Sequence, residues 1–230
     1  MTDVPPATTA PADPAQRFAD RRAAGRALAA ALRGLHLGSD PLVLGLPRGG
    51  VPVAYEVAHA LGAELDVLVV RKLGVPQQPE LAMGAIAAGG VIERNPGVIA
   101  QAGVGEQALR EVLAREQKEC LRREQVYRGD RPPPRLQGRT VLVVDDGVAT
   151  GATMRAALAV LRRAGAQRLV VATPVAPAGL ALELGLPPQD VVVLLQPRNF
   201  GGVGSLYQEF GQTGDEEVRG LLARMRAERC

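Results

Sequence analysis

Two adjacent carboxylates, Asp145 and Asp146, follow directly on the apolar run Val141-Leu142-Val143-Val144, and a turn of small residues, Gly147-Val148-Ala149-Thr150-Gly151-Ala152-Thr153, comes next. Each residue type has a chemical use here. Acids at the end of a buried strand can accept hydrogen bonds from vicinal hydroxyls or help hold a divalent cation. Small side chains let the backbone come close to a ligand. Where such a turn opens a helix, the first N–H groups lack intrahelical partners and, with the helix dipole, favour a phosphate. The Thr150 and Thr153 hydroxyls add two donors. Capping would account for one acid and one threonine, but it does not require two acids directly after an apolar strand. A P-loop is excluded, because GxxxxGK(S/T) is absent and the turn has no lysine. A GxGxxG after a strand and the GxSxG elbow of a hydrolase are absent too.

Three further segments carry chemistry-bearing residues. Leu46-Pro47-Arg48-Gly49-Gly50 follows another apolar run, with a bidentate donor in Arg48 and two glycines that allow close backbone approach. Arg71 and Lys72 follow a third run and place two cations at its end, where a solvated strand terminus is the plain alternative. Residues 196–207 place Phe200 and Tyr207 close together in a chain that is only 3% aromatic, so either ring can stack on a ligand or simply pack. His36 and His59 have no metal-ligand spacing.

The elements that must position these residues follow from apolar periodicity. A helix is expected over about 15–33, with Phe18, Ala24, Leu28 and Leu32 on one face and Gly34 and Gly38 closing it. Strands are expected at 42–46, 65–70, 141–144, 169–173 and 191–195, with helices to about Leu61, over about 152–164 and near 178–184. Near-continuous apolar strands alternating with helices imply an α/β fold with a mainly parallel sheet covered on both faces. Residues 73–139 interrupt this rhythm with a Pro/Gly-rich loop, a hairpin of 83–87 with 91–93, and a charged helix over about 105–127. On that helix Leu109, Val112, Leu113, Cys120 and Leu121 form the expected buried stripe. Arg131-Pro132-Pro133-Pro134 reads as a stiff linker, and residues 1–14, rich in Pro, Ala and Thr, as a disordered tail.

The strand, the acidic pair and the Thr-Gly-x-Thr turn resemble the signature of the type I phosphoribosyltransferases, and Asp-Asp-Gly-Val-Ala-Thr-Gly-Ala-Thr-Met is most similar to the adenine-type form. Ala149 stands where the hypoxanthine-guanine enzymes place an Asp that works as a base, which argues against a 6-oxopurine acceptor. The resemblance covers about residues 15–226, read as a single domain. It implies a twisted, mainly parallel sheet flanked by helices, with a small hood over 196–210 that selects the acceptor through Phe200 or Tyr207. It implies that Asp145 and Asp146 hold the ribose of phosphoribosyl pyrophosphate and, indirectly or through the ribose hydroxyls, a Mg²⁺ ion. Ala149, Thr150, Gly151, Ala152 and Thr153 would take the 5′-phosphate, and Arg48, Gly49, Gly50, Arg71 and Lys72 the pyrophosphate, with an unusual cis peptide within 46–49. Residues 77–90, within a mobile stretch of about 73–95, would close over the substrate. The implied activity is Mg²⁺-dependent transfer of phosphoribose to a nitrogenous, nucleobase-like small molecule. The alternative is a non-catalytic regulator that binds phosphoribosyl pyrophosphate or a nucleotide; a hydrolase reusing the fold has no nucleophile motif to support it.

Bulk properties agree. The 230 residues are 47% apolar, enough for one large core, and 27 basic against 24 acidic residues leave a net charge of +3. That balance suits a small anionic ligand, and the scarcity of aromatics removes a stacking platform for nucleic acid. Cys120 and Cys230 have no paired spacing, which fits a reducing compartment. No uncharged apolar stretch approaches the roughly 18 residues of a membrane span, and the N-terminus lacks the pattern of a signal peptide, so a cytoplasmic protein is expected. A homodimer is left open.

Overall fold

In the computed structural model, which describes residues 17–229 apart from 88, 89 and 199, the chain runs through α1 (Arg21–Leu32), β1 (Leu42–Gly45), α2 (Gly50–Leu61) and β2 (Glu64–Val67). An inserted segment forms β3 (Val70–Val75), β4 (Gln78–Ala87), β5 (Ile92–Arg94), the short α3 (Pro96–Gln101) and the long α4 (Glu106–Arg128). The alternation resumes with β6 (Thr140–Val144), α5 (Ala152–Arg163), β7 (Arg168–Val175), α6 (Leu180–Leu184) and β8 (Val191–Leu195), and α7 (Asp215–Arg229) follows. The tail expected over 1–14 and the first two residues of the expected opening helix lie outside the described residues.

The apolar runs form a five-stranded, wholly parallel sheet in the order β2-β1-β6-β7-β8. Alternate residues serve opposite faces, as the two-residue period of a strand requires. Val43, Leu142, Val170 and Val192 join a core with residues of α1, α2 and α7, while Leu42, Leu44, Val141, Val143 and Val171 join one with α5 and α6. Both faces are therefore apolar, which explains the unbroken runs. The register sets Gly45 beside Val144 and Val144 beside Ala172, so the loops after β1, β6 and β7 leave from one edge of the sheet.

Several expectations need correction. The strand expected at 65–70 ends at Val67, and Val70 begins a second, antiparallel sheet of β3, β4 and β5. The stretch expected to be a mobile loop is mostly β4, which pairs with β3 on one side and β5 on the other. Its Pro and Gly content reads as a loop, but Leu73, Val75, Met83 and Ile86 are buried with Leu109, Val112 and Leu113 of α4. The ribbon thus has its own small core, which α4 covers. Leu121, expected on the buried stripe of α4, is 53% exposed. The opening helix begins only at Arg21, because the Asp20 carboxylate caps it by accepting from the Ala23 N–H at 2.6 Å. Phe18 lies outside the helix and bridges to Tyr207.

The helix at 215–229 is not among the expected elements. Asp215, Glu216 and Glu217 in the first turn of α7 and Arg226 and Arg229 in the last match the helix dipole. Val218, Leu221, Leu222 and Met225 form its buried stripe. Among the described residues, no helix is long and apolar enough to cross a membrane.

Candidate active site

β6 carries the acidic pair to the edge of the sheet where the loops emerge, the place where open α/β sheets bind ligands. The Asp145 carboxylate accepts from the Asp146 backbone N–H at 2.9 Å. Burial of that carboxyl, reinforced by the neighbouring Asp146 charge, pushes the Asp145 pKa well above the usual carboxylate range. Asp146 is held differently. The Arg21 guanidinium donates to its carboxylate at 2.7 Å, and both side chains are largely buried. Arg21 also donates to the Gly211 carbonyl at 2.6 Å and lies 4.0 Å from the Phe210 ring centroid. The Tyr207 hydroxyl donates to the Asp146 carbonyl at 2.5 Å. Asp146 is thereby tied to α1 and to the segment after β8 at once.

The turn that follows is pinned where the Val148 N–H donates to the Val175 carbonyl at 2.8 Å, and it enters α5 at Ala152. Gly151 occupies the N-cap position with φ of +66°, a left-handed conformation that favours glycine, and it supplies no side-chain cap. The hydroxyl that reaches back is Thr150 Oγ1, at a long 3.5 Å from the Ala152 N–H, so the start of α5 keeps the character of an anion site. A cavity of about 200 Å³ lies here, with Asp145, Gly147, Val148, Ala149, Thr150, Gly151, Ala152, Thr153 and Met154 on its walls together with Val203. Asp145 and the whole expected phosphate turn thus line one cavity.

The Leu46–Gly50 loop runs alongside, tied where the Leu46 N–H donates to the Val144 carbonyl at 2.9 Å. The cis peptide expected within 46–49 is found at Pro47–Arg48. The glycines have a reason the sequence did not reveal. A side chain on Gly49 would overlap the Asp146 carboxylate, and one on Gly50 would lie 2.7 Å from the Val144 carbonyl and 3.0 Å from the Asp145 carboxylate. They let this loop pack on the acidic pair. Arg48 turns toward Asp215, at 3.9 Å.

Arg71 and Lys72 stand at the start of β3 and line a separate cleft of about 330 Å³ beside α4. Arg71 is held by Glu116 of α4 at 2.9 and 2.7 Å. The cations expected at the pyrophosphate therefore line cavities other than that of the phosphate turn.

Tyr207, one of two rings expected to stack on an acceptor, is 3% exposed and packs between Phe18 and Phe210, with centroids 5.7 and 5.0 Å away. Burial first, then the Asp146 charge, raises the pKa of its hydroxyl. It packs the segment after β8 against Ala24 of α1 and Val175 of β7, with almost no surface left for a ligand. Phe200 is partly buried against the same cluster. Arg21 and Asp215 were invisible to sequence reasoning, because their partners lie far along the chain: 125 residues separate Arg21 from Asp146 and 88 separate Asp215 from Tyr127. Among the described residues, no group of three or more His, Cys, Asp or Glu side chains is placed to hold a metal ion.

The chain matches the family described as the phosphoribosyl transferase domain over residues 16–184. A Mycobacterium tuberculosis protein whose name describes it as a phosphoribosyl transferase is 47% identical over 207 residues, which cover 90% of this chain and 46% of that protein. The chain spans about half the length of the curated relatives it matches. The crystal structure of a Thermus thermophilus protein, TT1426, is 46% identical, with a TM-score of 0.82, covering 91% of this chain and 99% of that one. The family match spans β6, the acidic pair, the turn and the loop at Arg48, and on this ground the chain belongs to the phosphoribosyl transferase domain family.

Proposed function

We propose that the chain is a phosphoribosyltransferase that takes phosphoribosyl pyrophosphate as donor and passes its phosphoribosyl group to a nitrogenous, nucleobase-like acceptor. The observation that carries this reading is that Asp145 and the start of α5, where Gly151 supplies no side-chain cap, line one cavity, with Asp146 next to Asp145 in the chain. The Ala149–Thr153 backbone and the Thr150 and Thr153 hydroxyls bind the 5′-phosphate. Asp145 and Asp146 accept from the ribose hydroxyls. In the transfer, the bond from ribose C1 to the pyrophosphate oxygen breaks and its electron pair leaves with pyrophosphate. A nitrogen lone pair of the acceptor forms the new bond to C1, and the N–H proton passes to water. Charge gathers on the leaving group, so the reaction is helped chiefly by position and by preorganised cations such as Arg48.

Asp145 and Asp146 are oxygen donors of the kind that would suit a Mg²⁺ ion brought in with the donor. When bound, that ion neutralises the leaving group. Asp145 and Asp146 would hold it through the ribose hydroxyls.

A second reading is a regulator that binds the same donor without turning it over. It is favoured by Arg21 and Glu116, which already satisfy Asp146 and Arg71. Incubation with labelled phosphoribosyl pyrophosphate, Mg²⁺ and a panel of bases separates the two. Pyrophosphate release that depends on one base supports transfer, and saturable donor binding without release supports the regulator. Asp145→Asn combined with Asp146→Asn is expected to abolish turnover; near-normal activity in that variant would remove the ribose assignment.

A further inference from the structure

A second cleft has the Arg48 loop as one of its walls. Its walls are Pro47 and Arg48 from that loop, Arg122, Arg123 and Tyr127 from α4, and Asp215 from the start of α7. Its volume of about 200 Å³ equals roughly six or seven waters of liquid, room for a small anion but below the range of roughly 300–1,000 Å³ for drug-sized ligands. Three arginines line it, and Asp215 is the one acidic residue among the described residues on its wall. Arg122 and Arg123 share a single counter-ion outside the wall, Glu119, at 2.8 and 2.7 Å. Asp215 accepts from the Tyr127 hydroxyl at 2.7 Å and lies 3.9 Å from Arg48. All three arginines keep at least a third of their side-chain surface, so their donors are within reach of a ligand. The cleft is also next to the acidic pair, because Gly49, the neighbour of Arg48, packs on Asp146.

We infer that Arg122 and Arg123 of α4 join Arg48 in a subsite for a diphosphate group, and that Asp215 is its resting counter-ion, displaced when the ligand enters. The inference rests on the transferase reading for the source of that diphosphate, namely the donor. Planar, multiply hydrogen-bonding guanidiniums are the side chains suited to such an anion, and a carboxylate at the same place opposes it.

The test is calorimetric titration of the full chain with inorganic pyrophosphate and, separately, with ribose 5-phosphate. Arg122→Gln with Arg123→Gln is expected to weaken pyrophosphate binding at least tenfold. Asp215→Asn, which can still accept from Tyr127, is expected to strengthen it several-fold. Neither variant should change ribose 5-phosphate affinity. Unaltered pyrophosphate affinity in both variants, or an equal change for both ligands, would overturn the subsite. Displacement of pyrophosphate by phosphoribosyl pyrophosphate supports the donor as source, and simultaneous binding of the two overturns it. Failure of the wild type to bind ribose 5-phosphate or the donor, with pyrophosphate still bound through Arg122 and Arg123, would remove the transferase reading and leave the anion cleft standing.

Discussion

Asp145 and Asp146 are neighbours in sequence with opposite electrostatic situations. Asp146 is paired with Arg21, whereas Asp145 accepts from a backbone N–H and has a carboxylate beside it. The folded protein therefore disfavours ionised Asp145 relative to the unfolded chain, where its pKa is about 3.9. Such a group costs stability as pH rises above the unfolded value, and costs nothing where both states hold the proton. Asp145→Asn keeps the acceptor for the Asp146 N–H and removes the charge. Its melting temperature is expected to exceed that of the wild type at pH 8, by about 2–4 °C for each kcal/mol of relieved repulsion. The gain should vanish near pH 3. Thermal denaturation across pH checks this, and a variant less stable than wild type at pH 8 would contradict it. A gain in stability with a loss of turnover would mark Asp145 as a residue retained for ligand contact.

At the scale of elements, the β3–β5 ribbon changes meaning between sequence and structure. Its Gly and Pro residues and its position after β2 read as a substrate lid, yet Ile86 and Met83 are fully buried against α4. Ile86→Ala is expected to cost about 2–5 kcal/mol as a large-to-small core substitution. Leu121→Ala, on the exposed side of α4, is expected to stay within about 0.5 kcal/mol. Urea denaturation of the two variants measures the contrast. A ribbon that behaves as a loose lid would give two small values. The boundaries of α4 were legible because a long periodic stripe has few competing readings. The β4–β5 hairpin was legible too, at 83–87 with 91–93, but β3 and the first half of β4 were not, since their apolar residues find partners on a helix more than 20 residues away in sequence.

At the scale of the molecule, α7 shows what a linear reading leaves out. It packs through Val218, Leu221, Leu222 and Met225 into the same core as α1, α2 and one face of the sheet. Leu222 is fully buried, so Leu222→Ala is expected to cost about 2–5 kcal/mol. Because Asp215 opens the same helix and opposes an anion beside Arg48, pyrophosphate binding should strengthen as stability falls. Chemical denaturation and titration on one preparation check both; a loss of stability with pyrophosphate affinity intact would uncouple α7 from the cleft.

The parallel α/β sheet and the phosphate turn were legible in the residues alone, because both are local. A buried strand of the sheet shows as an unbroken apolar run, and the acids, the glycine at the helix start and the threonines stand within nine consecutive residues, from 145 to 153. Only the folded chain shows that Arg21 neutralises Asp146, that Tyr207 packs with Ala24 of α1 and Val175 of β7, and that Gly49 and Gly50 make room for the acidic pair. Folding also brings Arg122, Arg123 and Asp215 to the side of Arg48. These are contacts between residues tens to more than a hundred positions apart, where charge and shape meet only after the sheet has closed, so no local pattern of residues announces them.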